Sequence, residues 1–398
     1  MNIEPGKSFI RMAGLPAGAQ AHAWQGQLLA DSAFSNRLIR IPTGMGKTYG
    51  VLGAWLWNRL ERQDHVWPRR LVWCLPMRVL VEQVAAEIAT ALQRLGGSAA
   101  AVPVHTLMGG ADTAPWQIEP EREAVLVGTQ DMLISRALNR GYAASRARWP
   151  MEFGLLNHDC LWVLDEVQLM DVGLATSAQL QAFRDDDAAK ALRPCKTWWM
   201  SATLQPSWLA RSPDTAALMA SLPTVTSVPA AERQGPLWES VHKPVQVEDA
   251  AQPRSLAARV VEHHAARGHG ALGPTLVVVN RVNRAVEVHD EIRKALTRDN
   301  THQGTNLRLV HSRFRPTERA HWRQAFLNRA ACGPGTDRII VATQVVEAGV
   351  DMSSALLYTD LAPWPSLVQR FGRAARWGGT AQVVVVDGQA REIGRAHV

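Results

Sequence analysis

The chain has no apolar run near the ~18 residues that cross a bilayer. Its first residues, Met1-Asn2-Ile3-Glu4-Pro5-Gly6-Lys7, hold no signal-peptide core. Neither a membrane span nor a secretory leader is expected, and the expected location is the cytoplasm. Cysteine is scarce: Cys74, Cys160, Cys195 and Cys332 are scattered without a C-x-x-C pair. That spacing excludes the usual zinc and clustered iron–sulfur sites. Cys74 and Cys160 lie in or beside apolar runs and read as small buried hydrophobes. Lysine is also rare, since only six of the 43 basic residues are lysine and 37 are arginine. A lysine inside a glycine loop therefore carries weight. Internal repeats and low-complexity tracts are absent as well.

What is present is the composition of a folded globular protein, 46% hydrophobic and 20% charged. A net charge of +7 suits an anionic partner without identifying one. A length of 398 residues is comfortable for two domains. The first half repeats a short apolar strand, a polar or glycine loop, and an amphipathic helix. The strands are expected at Leu38–Ile41, Leu71–Leu75, Val102–Thr106, Ala124–Val127, Leu161–Leu164 and Thr197–Met200. This alternation predicts an α/β fold with parallel sheets and ligands at the carboxyl ends of the strands. The expected organisation is a first domain over residues 1–225, a proline-rich connection over 226–270, and a second domain over 271–390. In the second, strands are expected at Thr275–Val279, Leu307–Val310, Arg338–Val341, Leu356–Thr359 and Gln382–Val386.

Four clusters carry chemistry. Pro42-Thr43-Gly44-Met45-Gly46-Lys47-Thr48 follows a strand and opens a helix. Glycines let backbone N–H groups close around phosphates, and the helix N-terminus adds its positive dipole end. Lys47 would neutralise β- and γ-phosphates, and Thr48 would help hold Mg2+. Asp165-Glu166 follows an apolar strand, where two adjacent carboxylates resist burial unless a cation relieves them. Asp165 would hold the metal and Glu166 would orient or deprotonate the attacking water. Ser201-Ala202-Thr203 ends another strand, where hydroxyls can relay contacts from the nucleotide site. Gln369-Arg370-Phe371-Gly372-Arg373-Ala374-Ala375-Arg376 places Arg373 and Arg376 three apart, on one face if helical. Such guanidinium groups can reach a γ-phosphate as arginine fingers.

In order and content this set resembles a superfamily 2 helicase, and the resemblance covers residues 20–387. Gln25, after Trp24, stands where that superfamily places its adenine-reading glutamine. Pro76–Gln83, with Pro76 and Arg78, is similar to motif Ia, and Gly128–Asp131, with Thr129, to motif Ib. Asn280–Val282 and His311–Phe314, with Ser312 and Arg313, are similar to the motif IV region. Val341–Asp351, containing Thr343, Gly349 and Asp351, is similar to motif V. The resemblance implies two tandem RecA-like domains binding ATP and Mg2+. It also implies nucleotide contacts from Gly349 and Asp351, strand contacts from motifs Ia, Ib, IV and V, and domain coupling through Gln168, Ser201 and Thr203.

Leu164–Met170, Leu309–Phe314 and Thr343–Asp351 further resemble the CRISPR-associated helicase–nuclease of type I systems, the first most like its subtype U branch. Gln168 stands where most of that family has histidine. The resemblance implies movement from 3′ to 5′ along single-stranded DNA exposed by a guide-RNA surveillance complex. Its HD nuclease has no counterpart among His158-Asp159, His289-Asp290 or the cluster His263, His264 and His269. The two doublets read as structural and the cluster as surface residues. Ile393–Val398 reads as translated sequencing adapter, so residues 391–398 are expected to be an artefactual tail on a chain cut before its nuclease. Two alternatives stay open: an RNA helicase of the DEAD-box kind, and a catalytically silent nucleic-acid-binding scaffold.

Overall fold

The computed structural model describes residues 5–387 apart from 17, 43, 110–115, 223–224, 251, 269–272, 299–303 and 348. The expected tail lies outside the described residues. Contacts divide the chain into two compact units, residues 1–232 and 233–398.

The first unit is built on β1 (Arg37–Arg40), β2 (Arg70–Leu75), β3 (Val104–Leu107), β4 (Ala124–Thr129), β5 (Cys160–Asp165), β6 (Cys195–Ser201) and β7 (Thr226–Ser227). They form one sheet in the order β3-β4-β2-β5-β6-β1-β7, with every pairing parallel. Parallel neighbours need crossover connections, which here are helices that cover the sheet. That is why β2, β4 and β5 are buried at every residue and read as unbroken runs rather than alternating ones. Four helices of this unit pack on one another: α1 (Pro5–Ala13), α2 (Ala23–Ala30), α3 (Lys47–Leu56) and α4 (Arg78–Leu95). α3 lies directly under Trp24 of α2, and a Cβ on Gly50 would sit 2.3 Å from the Trp24 ring. The four cysteines are buried free thiols.

The second unit holds β8 (Val245–Glu248), β9 (Thr275–Val278), β10 (Asn306–Val310), β11 (Arg338–Ala342), β12 (Leu356–Asp360) and β13 (Gln382–Val386). Their order is β10-β11-β9-β12-β13-β8, again all parallel. Strand alternation sends Ile340, Ala342, Leu276 and Leu357 to a core with Trp322 and Phe326. It sends Ile339, Val341, Val277 and Leu356 to the other face, against Ala285, Val288 and Ile292 of the helix Val282–Arg298.

The stretch 226–270 is not a connection. It begins with β7 in the first sheet and supplies β8 and the helix Pro253–Ala266 to the second unit. Prolines flank these elements without breaking them. β8 is an edge strand whose Val245 and Val247 are 52% and 72% exposed, so it lacks the buried apolar run that marks an inner strand. His264 is not a surface residue: it is buried on that helix, between Thr275 Oγ1 (2.8 Å) and Asp337 Oδ1 (2.9 Å). Asp159 of the first His-Asp doublet is structural, held by Arg69 and Arg193 at 2.8 Å each.

Candidate functional site

β6 lies between β1 and β5, so the loop after β1, Ser201 at the end of β6 and Asp165 at the end of β5 share one carboxyl edge. Gly44 (φ 89°) and Gly46 (φ 69°) adopt left-handed backbone, which glycine reaches without steric penalty. Gly46 also packs against Gln25, whose Nε2 donates to Gly46 O at 3.0 Å while its Oε1 accepts from His22 N at 3.0 Å. Gln25 is buried and braces the loop; the amide expected to read a base is taken up by the protein's own backbone. Met45 is buried beneath the loop, and Thr43 lies outside the described residues. Lys47 opens α3, nearly buried, with Nζ 3.4 Å from Glu166 Oε1. The Thr48 hydroxyl faces Glu87 of α4 at 3.5 Å, a long contact.

Asp165 is buried, and its pKa is pushed up to about 6, chiefly by burial. Lys47 pulls it down and Glu166 pushes it up, and Trp73 Nε1 lies 3.4 Å from its Oδ2. Glu166 has φ 52°, an uncommon conformation for a side-chain-bearing residue. A relay then runs along the sheet edge. Gln168 Nε2 donates to Glu166 Oε2 at 2.6 Å, Ser201 Oγ donates to Gln168 Oε1 at 2.5 Å, and Thr203 N donates to Ser201 Oγ at 3.1 Å. Of the three residues expected to couple the domains, Gln168 thus bonds to the second carboxylate directly, and Ser201 and Thr203 reach it through Gln168.

In the second unit the expected shared helical face of Arg373 and Arg376 is not formed. The helix Trp364–Phe371 stops before Gly372, and Ala374 forms a bridge with Ser354. Backbone pairing takes the chain away from helical geometry. Arg373 turns inward and donates to Val350 O (2.8 Å) and Glu347 O (2.6 Å), holding these two carbonyls on either side of Gly349 (φ 73°). Arg376 Nε donates to Asp351 Oδ1 at 3.0 Å. Gln369 is buried.

The residues expected to touch nucleic acid divide sharply. Arg78 is exposed at the start of α4, next to half-buried Pro76, and Ser312 and Arg313 are exposed beyond β10. Thr129 and Thr343 are buried at strand ends. Asn280 is engaged by the framework: Oδ1 accepts from Arg370 Nη2 (2.9 Å) and Nδ2 donates to Leu361 O (2.8 Å). Its amide is therefore not presented to a strand as expected.

Arg370 and Glu347 fall within two of the motifs, but the sequence alone gives them no role. Arg370 is buried at 1% exposure and ties together Glu347 Oε1 (2.8 Å), Thr359 Oγ1 (2.9 Å), Asp360 O (3.0 Å) and Asn280 Oδ1 (2.9 Å). Glu87 is a further neighbour of the loop; burial raises its pKa, and Tyr49 and Thr48 lower it through hydrogen bonds. No local pattern marks it, because its partners lie on a different helix.

Two family profiles match the chain: DEAD/DEAH box helicase over residues 19–211, and CRISPR-associated nuclease/helicase Cas3, C-terminal, over residues 272–378. The CRISPR-associated helicase Cas3 of Thermoproteus tenax is 30% identical over 117 residues, 29% of this chain and 19% of that relative. Among solved structures, T. fusca Cas3 with AMPPNP has a TM-score of 0.64 at 17% identity, covering 95% of this chain and 47% of that one. The DUF1998 helicase MrfA bound to DNA and AMPPNP has a TM-score of 0.67 at 16% identity, covering 96% and 50%. At such identities the likeness carries the fold: tandem RecA-like domains. The chain spans about half the length of these solved relatives, with coverage of 47% and 50%.

Proposed function

The chain is a superfamily 2 helicase of the Cas3-like kind, and on that premise we propose that it is an ATP-driven motor moving 3′ to 5′ along single-stranded DNA. The observation that carries the proposal is the cluster at the carboxyl edge of the first sheet: Lys47 beside Glu166, with Asp165 buried next to it. Lys47 would exchange its contact with Glu166 for the β- and γ-phosphates. Glu166, freed on one oxygen and held by Gln168 on the other, would orient or deprotonate water. Ser201 and Thr203 would carry the state of that carboxylate along the sheet edge, through the Gln168 amide.

The donor set fits Mg2+, which would be held by Asp165 and Thr48 together with phosphate oxygens. Such a site uses one or two carboxylates rather than a protein cage, and among the described residues no group of three or more His, Cys, Asp or Glu could form one. When bound, the cation neutralises phosphate charge. From the second unit, Arg376 would stabilise the transferring phosphate, Arg373 would act by fixing the turn at Gly349, and Asp351 would hold Arg376 between cycles. The buried Gln369 would support this turn. The partner in the cell would be a guide-RNA surveillance complex of a type I CRISPR system, a reading supported by the family description matched over residues 272–378.

The test is ATP hydrolysis measured with single-stranded DNA or RNA of matched sequence. Stronger stimulation by DNA is expected, and a strong preference for RNA would replace this reading with an RNA helicase. Polarity follows from displacing streptavidin from either end of a biotinylated strand, with faster release expected at the 5′ end.

A further inference from the structure

The helix Gln130–Ala137 begins immediately after Thr129, at the carboxyl edge of the first sheet. Together with the start of the helix Val172–Asp186 and the chain after residue 137, it walls a groove of about 540 Å³. The groove is lined by Gln130, Ile134, Leu138, Tyr142, Val172 and Gly173, among others. Its apolar walls are open to solvent: Leu138 is 45% exposed, Tyr142 62% and Val172 74%. At Gly173 the floor is cut back to the backbone, since a Cβ there would lie 2.3 Å from Gln130 Oε1. That oxygen is buried and has no hydrogen-bond donor among the described residues.

The loop carrying Tyr142 is pre-organised. Its two flanking helices are joined by the buried Arg136–Glu152 ion pair at 2.9 Å, and Asn157 Nδ2 donates to Ala137 O at 3.0 Å. Within the loop, Arg140 N donates to Ser135 O (2.9 Å) and Tyr142 N to Ser135 Oγ (3.0 Å). Trp149 Nε1 donates to Ala144 O at 3.1 Å. Asn139 and Ala143 both hold φ 56°, a left-handed conformation that these bonds must maintain. Three exposed arginines, Arg140, Arg146 and Arg148, lie on this loop, and none forms an ion pair among the described residues. Arg146 stacks over Trp149 at 6.0 Å. Asp131 is the charged side chain of the groove's own lining, and the arginines lie on the loop that carries Tyr142.

An exposed aromatic ring on an anchored backbone, an apolar trough and a loop of arginines without acidic partners among the described residues form a combination that binds single strands without reading sequence. We propose that this groove is a stacking platform for single-stranded DNA, with a base on Tyr142 and phosphates on Arg146 and Arg148. Ser135, which anchors Tyr142, lies five residues beyond Gln130, about 7 Å along the helix. That is the rise of about two stacked nucleotides. The inference rests on the chain being a motor on single-stranded DNA.

The experiment measures binding of a fluorescent oligothymidylate by anisotropy across a salt series, for the parent chain, Tyr142→Ala, Tyr142→Trp and the double variant Arg146→Ala/Arg148→Ala. Thermal unfolding midpoints check that each variant folds. Tyr142→Ala should weaken binding about tenfold, and Tyr142→Trp should retain it. The double variant should flatten the slope of log K against log salt by about 1.4, since each neutralised phosphate contributes about 0.7. If the parent binds but all variants match it in affinity and slope, the platform is wrong and the motor reading stands. If the parent binds no single strand, both fail.

Discussion

Asp165 sits under electrostatic tension that folding creates. Its pKa of about 6 stands above the ordinary 3.8, so the folded protein holds the proton more tightly than the unfolded chain. By linkage this stabilises the fold fully below the unfolded value, and the stabilisation is lost as pH rises through about 6. Asp165→Asn, uncharged throughout, should therefore raise the melting temperature of the nucleotide-free protein at about pH 8 and bring little gain at about pH 4. Parallel melting curves against pH for parent and variant would contradict the assignment. Gln168 makes a second prediction at this scale. Its amide bridges Glu166 and Ser201 at 2.6 and 2.5 Å, and an amide does not titrate. Gln168→Ala should lower kcat by about ten- to a hundredfold, the cost of a misplaced reacting group, with nucleotide affinity nearly unchanged in direct binding. Gln168→His should keep activity but add a pH dependence near the histidine range; a flat pH profile in that variant would show that Gln168 does not act through Glu166.

Between elements, Arg370 joins the ends of β9, β12 and the 343–347 turn through four hydrogen bonds. Replacing it with methionine leaves the buried Glu347 carboxylate without its partner, a loss of about 3–5 kcal/mol. Chemical denaturation of Arg370→Met should show the second unit unfolding earlier, and an unshifted midpoint would contradict that role. Inner strands were legible in the sequence because burial on both faces makes them continuous apolar runs; their observed ends fall within two residues of expectation. β7 and β8 were not, because edge strands need no such run. The early end of the helix at Phe371 was also hidden, since it depends on Ala374 pairing with the distant Ser354. The same contrast holds at the site. The shared edge of Lys47, Asp165 and Glu166 was legible because Lys47 and Glu166 come after inner strands and Asp165 ends one, whereas Arg370, Glu347 and Glu87 are held by partners on other elements.

For the molecule as a whole, the division into two RecA-like units was readable from the repeated strand–helix rhythm. The boundary was not, because the prolines after residue 222 flank short elements of both units instead of marking a linker. The first unit gathers Lys47, Asp165, Glu166 and Ser201 at the carboxyl edge of its parallel sheet, the edge to which this topology directs ligands, whereas Arg373 and Arg376 of the second lie beside Ser353 and Ser354, where β12 begins. The central claim is that the loop at Lys47 drives the motor. Steady-state ATP hydrolysis by the parent chain and by Lys47→Ala, each with and without single-stranded DNA, tests it most directly. The account predicts DNA-stimulated turnover in the parent and background turnover in the variant under both conditions; a variant that hydrolyses ATP at the parent's stimulated rate would contradict it.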